Sequence, residues 1–302
     1  MSELALRVIV SLIAAPLAIW TVVAGGAPLA ALLAIVGAVG AWEFFRIARA
    51  SGHRPLDDVG IALAGIVPLA IHAHYLGVFI IQPALGALLV LIILGATIWL
   101  RGVDGHPLGA AASTLFGIVY PSGLLAFGYA IRYHNIVAGY DTVGGRLFSV
   151  AGVTFGVAPG AALLVFPLLC TWGTDVGAFF VGRAIGGRKL SPSISPGKTV
   201  SGAVGGLVAS MIVAFFYARY VLVPVAHLGF TPQGALLFGA LISIAAQTGD
   251  LFESLLKREG GVKDSSRIIP GHGGVLDRVD SLIFVLPVAY LLFSWLPVPV
   301  FG

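Results

Sequence analysis

Of the chain's 17 lysines and arginines and 13 acids, eleven fall between Asp250 and Asp280. The first flank of this stretch reads QTGDLFESLLKRE. In a helix, Asp250, Ser254 and Lys257 at i, i+4 and i+7 share one face, with Glu253 beside Asp250 at i+3. The second flank reads GHGGVLDRVDS. Asp277 and Asp280 share a face if a helix has begun there, and two carboxylates so placed repel each other unless a cation lies near them. Oxygen ligands without cysteine favour Mg²⁺, with Mn²⁺ as the alternative, over zinc. Arg278 points away from that face and can hold a phosphate or a carboxylate. Between the flanks, PGHGG permits positive φ and close backbone approach, and successive N–H groups can form an anion nest. His272 sits in that loop, either as a satisfied loop histidine or as part of a phosphate site.

Two further pieces point the same way. SPSISPGKT contributes Lys198 and several hydroxyls, but a phosphate-binding P-loop is excluded: Pro192 stands where the first glycine should be, and no strand is expected before it. Asp175, in TWGTDVGAFFVGR, is a carboxylate inside an apolar run. It either pairs with a base across the bundle or lines the same cavity. A divalent ion with lysines and arginines stabilises the charge that builds on non-bridging oxygens, which suits phosphoryl or nucleotidyl transfer. A hydrolytic triad fits worse, because no serine stands in a G-x-S-x-G context.

These residues must be held by elements that belong in lipid. The chain is 58% hydrophobic and 10% charged over 302 residues, with a mean hydropathy of +1.02; soluble domains carry about a quarter charged residues. The expected fold is all-α: a polytopic integral membrane helical bundle of about nine transmembrane helices, since a helix satisfies its own backbone in lipid. The spans are read at 4–24, 28–49, 58–76, 78–100, 109–131, 160–182, 201–223, 233–256 and 279–297. The third holds Pro68, His72 and His74 and is expected to tilt or kink. The first resembles a secretory leader but lacks a clear cleavage site and reads as an uncleaved span.

With the N-terminus inside, only Arg132, Arg146 and Arg219 of the 17 bases fall outside, a strong positive-inside bias. Removing one span between 58 and 100 would invert everything downstream. Residues 1–159 read as an N-terminal transmembrane region and 160–302 as a C-terminal catalytic one, with the site at the cytoplasmic face. The loop 183–200 is too rich in Gly, Ser and Pro to be helical throughout. One cysteine, Cys170, excludes an internal disulfide and a thiolate metal cluster. No basic run interleaves with aromatics, so no nucleic acid is expected. An ion-coupled transporter would need inverted repeats and charges near midplane, and neither is found.

The run Ser254–Asp280, SLLKREGGVKDSSRIIPGHGGVLDRVD, resembles the signature of the CDP-diacylglycerol synthases, or phosphatidate cytidylyltransferases, at every fixed position. GDLFES, D-x-GAFFVGR and SPSISPGKT resemble upstream motifs of that family, so the likeness covers roughly residues 170–281. It implies Mg²⁺-dependent transfer of CMP from CTP to phosphatidate, giving CDP-diacylglycerol and diphosphate, in phospholipid biosynthesis at a bacterial cytoplasmic (inner) membrane. By position it implies metal-site carboxylates at Asp250 and Asp277, with Asp280 as a third. Asp250, Asp277, Lys257 and Ser254 become the catalytic set. Lys198, Arg258, Lys263, His272, Arg278 and Asp175 become the substrate-binding set. The sequence departs from the family at Gly197, Val200, Ser201 and Val176. The alanine- and glycine-rich spans allow close helix approach, and the resemblance suggests a homodimer.

Overall fold

The computed structural model describes residues 3–137, 146–150, 153–157, 159–271 and 273–299. Its helices are α1 (Glu3–Ala24), α2 (Gly26–Ala50), α3 (Asp57–Tyr75), α4 (Pro83–Leu100), α5 (Pro107–Ile118), α6 (Phe127–Arg132), α7 (Pro159–Ile185), α8 (Val200–Tyr217), α9 (Val223–Ala226), α10 (Pro232–Glu259) and α11 (Leu276–Trp295). Seven helical stretches are long and apolar enough to cross a bilayer: Gly26–Ala50, Asp57–Tyr75, Pro83–Leu100, Pro107–Arg132, Pro159–Ile185, Val200–Ala226 and Pro232–Glu259. The nine spans expected from the sequence add α1 and α11 to these. The protein is a polytopic helical membrane protein, and its strands form only three two-stranded antiparallel pairs among the described residues. These are β1 (Arg146–Val150) with β2 (Val153–Val157), β3 (Lys189–Ser191) with β4 (Ser195–Thr199), and β5 (Leu228–Phe230) with β6 (Pro297–Pro299).

Internal contacts divide the chain into two compact units. One comprises residues 1–129 with 253–279, the other 130–252 with 280–302.

In the first unit α2 carries the core. Its buried side includes Leu29, Leu33, Phe44, Phe45 and Ile47. By contrast α4 buries only Ile93 and Thr97, as suits a helix whose remaining surface meets lipid. At Pro68, where the sequence predicts a tilt or kink, a side chain answers the carbonyl that the proline leaves without its helical donor. Pro68 has no N–H to give the carbonyl four residues back, which is that of Ala64. The buried Ser122 hydroxyl donates to that oxygen instead, at 2.5 Å, and α3 runs through Pro68 unbroken. The span after Pro107 widens to a π-turn at Val119–Gly123 around Pro121, a common way to relieve a proline inside a helix. At the α2–α3 corner Arg49 pairs with Asp57, and Arg101 donates to the carbonyls of Arg54 (3.0 Å) and Pro55 (2.5 Å).

In the second unit α7 and α8 pack through small residues. Gly202, Gly206, Ser210 and Ala214, one turn apart each, form the buried face of α8. A Cβ on Gly206 would stand 2.7 Å from the carbonyl oxygen of Thr174, so the backbones meet where lipid supplies no hydrophobic drive and close packing must. Ser210 donates to the carbonyl of Gly239 on α10 at 2.8 Å. Phe166, Phe238 and Phe293 stack nearby, with 4.2 Å between the first two ring centroids. The segment after α7 is the β3–β4 hairpin: it is not helical, as expected, but a short strand does lead into SPSISPGKT where none was expected, because the segment pairs with itself across a turn. Thr199 ends it and caps α8 by accepting from the Gly202 N–H at 3.1 Å.

The hairpin tip and the α9–α10 connection test the orientation read from the charges. A cysteine at exposed Ser193 should react with a membrane-impermeant maleimide only in inside-out vesicles, and one at exposed Gln233 only in right-side-out vesicles. Buried Cys170 should stay silent. Labelling of both new positions from one face would reject the nine-span count.

Candidate active site

The singled-out residues form two polar clusters, one in each unit. The first is built on the end of α10. Lys257 and Arg258 occupy its last turn, where cations meet the negative end of the helix dipole. The helix closes in a Schellman turn: Gly261 has φ +65°, its N–H reaches the Arg258 carbonyl, and the Val262 N–H reaches that of Lys257 at 2.9 Å. The Lys257 ammonium pairs with Glu253 one turn back and donates to Asp277 Oδ1 at 2.7 Å. Glu253 is fully buried, Lys257 is 14% exposed and Asp277 8% exposed.

Asp277 lies in the first turn of α11, ahead of the apolar stretch read from 279. Its Oδ2 accepts from the Ser265 N–H at 3.1 Å, the Ser265 hydroxyl at 2.9 Å and the Gly274 N–H at 2.8 Å. Burial alone would raise its pKa. The hydrogen bonds from Lys257 and the Gly274 amide outweigh burial, and the carboxyl is held below its ordinary value. Gly273, at φ +83°, leaves room for this arrangement: a Cβ there would stand 2.9 Å from Asp277 Oδ2.

The last amide of PGHGG and the two that follow it are taken by the protein itself. The Gly274 N–H goes to Asp277, and the N–H groups of Val275 (2.9 Å) and Leu276 (2.6 Å) go to Glu43 of α2. Glu43 is fully buried and also accepts from the Ser265 hydroxyl at 3.0 Å and the Ser266 hydroxyl at 2.5 Å. Sequence reasoning missed Glu43. The signal was available, because it is a lone carboxylate inside the second apolar stretch.

The second cluster lies in the other unit. Lys198 on β4 pairs with Asp250 on α10 at 2.6 Å, both partly exposed. Asp175 on α7 joins them around a cleft of about 510 Å³ that Thr174, Thr199, Arg183 and Gln247 also line. Gly249, next to Asp250, brings α11 close: a Cβ on it would stand 2.6 Å from the carbonyl oxygen of Asp280. The hairpin is held at its base by the Ser201 hydroxyl, which donates to the Gly186 carbonyl.

Of the remaining expected residues, Arg258, Lys263 and Arg278 are exposed and Ser254 is half-buried. His272 lies outside the described residues.

Residues 5–296 match the cytidylyltransferase family. The chain belongs to that family. A phosphatidate cytidylyltransferase of Synechocystis is 32% identical over 290 residues, covering 94% of each chain. Proteins of the same name from Bacillus subtilis and Haemophilus influenzae are 43% and 46% identical over 135 and 131 residues. Those two alignments cover 45% and 42% of this chain and 48% and 44% of the relatives, so the chain spans about half the length of these curated relatives. The family match takes in both polar clusters and also α2, which carries Glu43.

The donors suit a hard divalent cation, since they are carboxylates without cysteine. Among the described residues no three His, Cys, Asp or Glu side chains gather as a ready-made metal cage. Asp277 spends its oxygens on Lys257, Ser265 and Gly274, and binding a cation would require Lys257 to let go. Mg²⁺ needs no cage, however: it commonly binds through one or two carboxylates plus substrate phosphates. Asp250, beside the open cleft, suits that role provided Lys198 makes way or shares it with the ion.

Breaking a buried pair by removing one partner costs about 3–5 kcal/mol. Lys257→Met, which strands Glu253 and Asp277, should therefore lower the thermal unfolding midpoint in detergent. Adding Glu253→Gln should recover part of the loss. Because the Asp277 carboxyl is depressed, its contribution should be complete above about pH 4 and vanish as acid titrates it. A wild-type midpoint for Lys257→Met would remove the pair from the stability account.

Proposed function

We propose that this protein transfers the cytidylyl group of CTP to phosphatidate, giving CDP-diacylglycerol and diphosphate for phospholipid biosynthesis. The observation that carries the reading is that Lys257, Ser265, Gly274 and Asp277, all within the stretch bearing the family's signature, join in one polar cluster in an otherwise apolar chain. In the reaction a phosphatidate phosphate oxygen attacks the α-phosphorus of CTP. The bond from that phosphorus to the bridging oxygen breaks, and diphosphate leaves with the electron pair.

Both substrates are polyanions, so the protein's first task is to neutralise charge. Lys198, Arg258, Lys263 and Arg278 supply bases for the phosphates, with His272 and Asp175 in the same substrate-binding set. Lys257, held between Glu253 and Asp277, presents a cation whose position is set before substrate arrives. Such preorganisation is the main source of transition-state stabilisation. Ser254 stands one residue beyond Glu253 on the same helix. A bound Mg²⁺ supplies Lewis-acid polarisation of the phosphate oxygens. Asp250 would hold it with those oxygens, with Asp280 as the next candidate ligand, and Asp277, which belongs to the other unit, would be open to a cation only if Lys257 released it.

The bias of Lys and Arg toward one side supports a multi-pass protein of the bacterial inner membrane. Its N-terminus and site then face the cytoplasm, where CTP is dissolved and the phosphatidate headgroup lies at the interface.

Purified protein given labelled CTP, phosphatidate and Mg²⁺ should form a labelled lipid-soluble product. Chelation should stop it and added Mg²⁺ restore it. Asp250→Asn should express normally and lose at least about 100-fold in turnover, the scale of removing one preorganised electrostatic group. No product across several phosphatidates and divalent metals would refute the reading.

A further inference from the structure

We propose that Glu43 is a positioning residue for the reaction: from α2 it sets the backbone of the loop 265–276 and, through it, the Asp277–Lys257 pair. Glu43 is wholly buried and lies far from the signature in sequence, yet its partners among the described residues are all in that loop or at the start of α11. Oε1 accepts from the Ser266 hydroxyl (2.5 Å) and the Val275 N–H (2.9 Å). Oε2 accepts from the Ser265 hydroxyl (3.0 Å) and the Leu276 N–H (2.6 Å). Among the described residues no lysine or arginine pairs with it, so its partners are two hydroxyls and two main-chain amides. A carboxylate offers about four lone-pair sites, and here all are used.

Two routes connect Glu43 to the chemistry. Through the main chain, it fixes the amides of Val275 and Leu276, the residues directly before Asp277. Through a side chain, the Ser265 hydroxyl lies 3.0 Å from Glu43 and 2.9 Å from Asp277. That hydroxyl has one proton, which the two carboxylates must share, so the position of each bears on the hydrogen bond left to the other. Gly274 completes the arrangement, because a Cβ on it would stand 2.5 Å from Glu43 Oε1. The Ser265 hydroxyl is nearer still, at 2.0 Å, so the loop residue has to be glycine because that hydroxyl and the carboxylate it meets already fill the space.

Glutamine at position 43 is nearly the same shape but turns one acceptor into a donor. Hydroxyls can rotate away, but the amides of Val275 and Leu276 cannot, so one backbone N–H is left buried and facing an N–H₂ group. The local cost of an unsatisfied buried donor falls on the loop.

This inference uses the proposed cytidylyl transfer only for its kinetic readout, and hydrogen exchange tests the anchor independently. Glu43→Gln should speed amide exchange across 262–276 at least tenfold while leaving α3 and α5 unchanged. It should lower kcat about 10- to 100-fold with a change in KM for CTP of under threefold. Ser266→Ala, which removes one hydroxyl and keeps both amide contacts, should shift both measures in the same direction by only a few-fold and serves if the glutamine variant fails to fold. Unchanged exchange in the loop would overturn the anchor. Faster exchange with normal kcat, or uniform loss of protection throughout the protein, would overturn the positioning role. Faster exchange in a protein whose wild type makes no CDP-lipid would count against the reaction and leave the anchor standing.

Discussion

A charge taken out of water must be answered by neighbours at contact distance, because the apolar interior cannot answer it from afar. This constraint organises the first unit. Glu253, Lys257 and Asp277 are all largely withdrawn from solvent, and each is met by another member of the set or by a backbone amide. The loop that supplies those amides is glycine-rich for spatial reasons. At Gly273 and Gly274 a side chain would occupy the volume that the carboxylates of Asp277 and Glu43 need. The polar residues in this stretch thus first solve a folding problem among themselves.

The second unit follows a different rule. Its carboxylates, Asp250 and Asp175, face a cleft, and Lys198 is brought to Asp250 by a short hairpin. Here the groups are only partly withdrawn, and packing of small residues between α7, α8 and α10 holds the frame. A saturated cluster and an open one have different uses. The saturated cluster fixes a cation in place, and the open one has room for a ligand.

Much of this was legible in the sequence. Apolar length gave the helices, and the charge bias gave an orientation to test. The spacing of Asp250, Ser254 and Lys257 put them on one face because α10 continues unbroken to Glu259. What could not be read was which partner each polar group would choose. PGHGG has the composition of a phosphate nest, but composition does not reveal that Asp277 takes its last amide and a glutamate from α2 takes the two after it. Glu43 escaped notice because its partners lie more than two hundred residues away, and no local pattern encodes a contact at that separation. The β3–β4 hairpin was missed for a related reason: its Gly, Ser and Pro content marks the absence of helix without specifying a strand pairing.

The Pro68 repair carries a consequence for how this protein can change over time. The Ala64 carbonyl is bereft because position 68 has no N–H, and the Ser122 hydroxyl is buried with that carbonyl as its acceptor. Restoring an ordinary residue at 68 would return the helical bond, and the carbonyl, with two lone pairs, could keep the serine as well. Losing the serine first would orphan the carbonyl in a setting without water. The constraint therefore runs one way: the serine becomes dispensable only after the proline has gone, and a lineage is expected to lose them in that order.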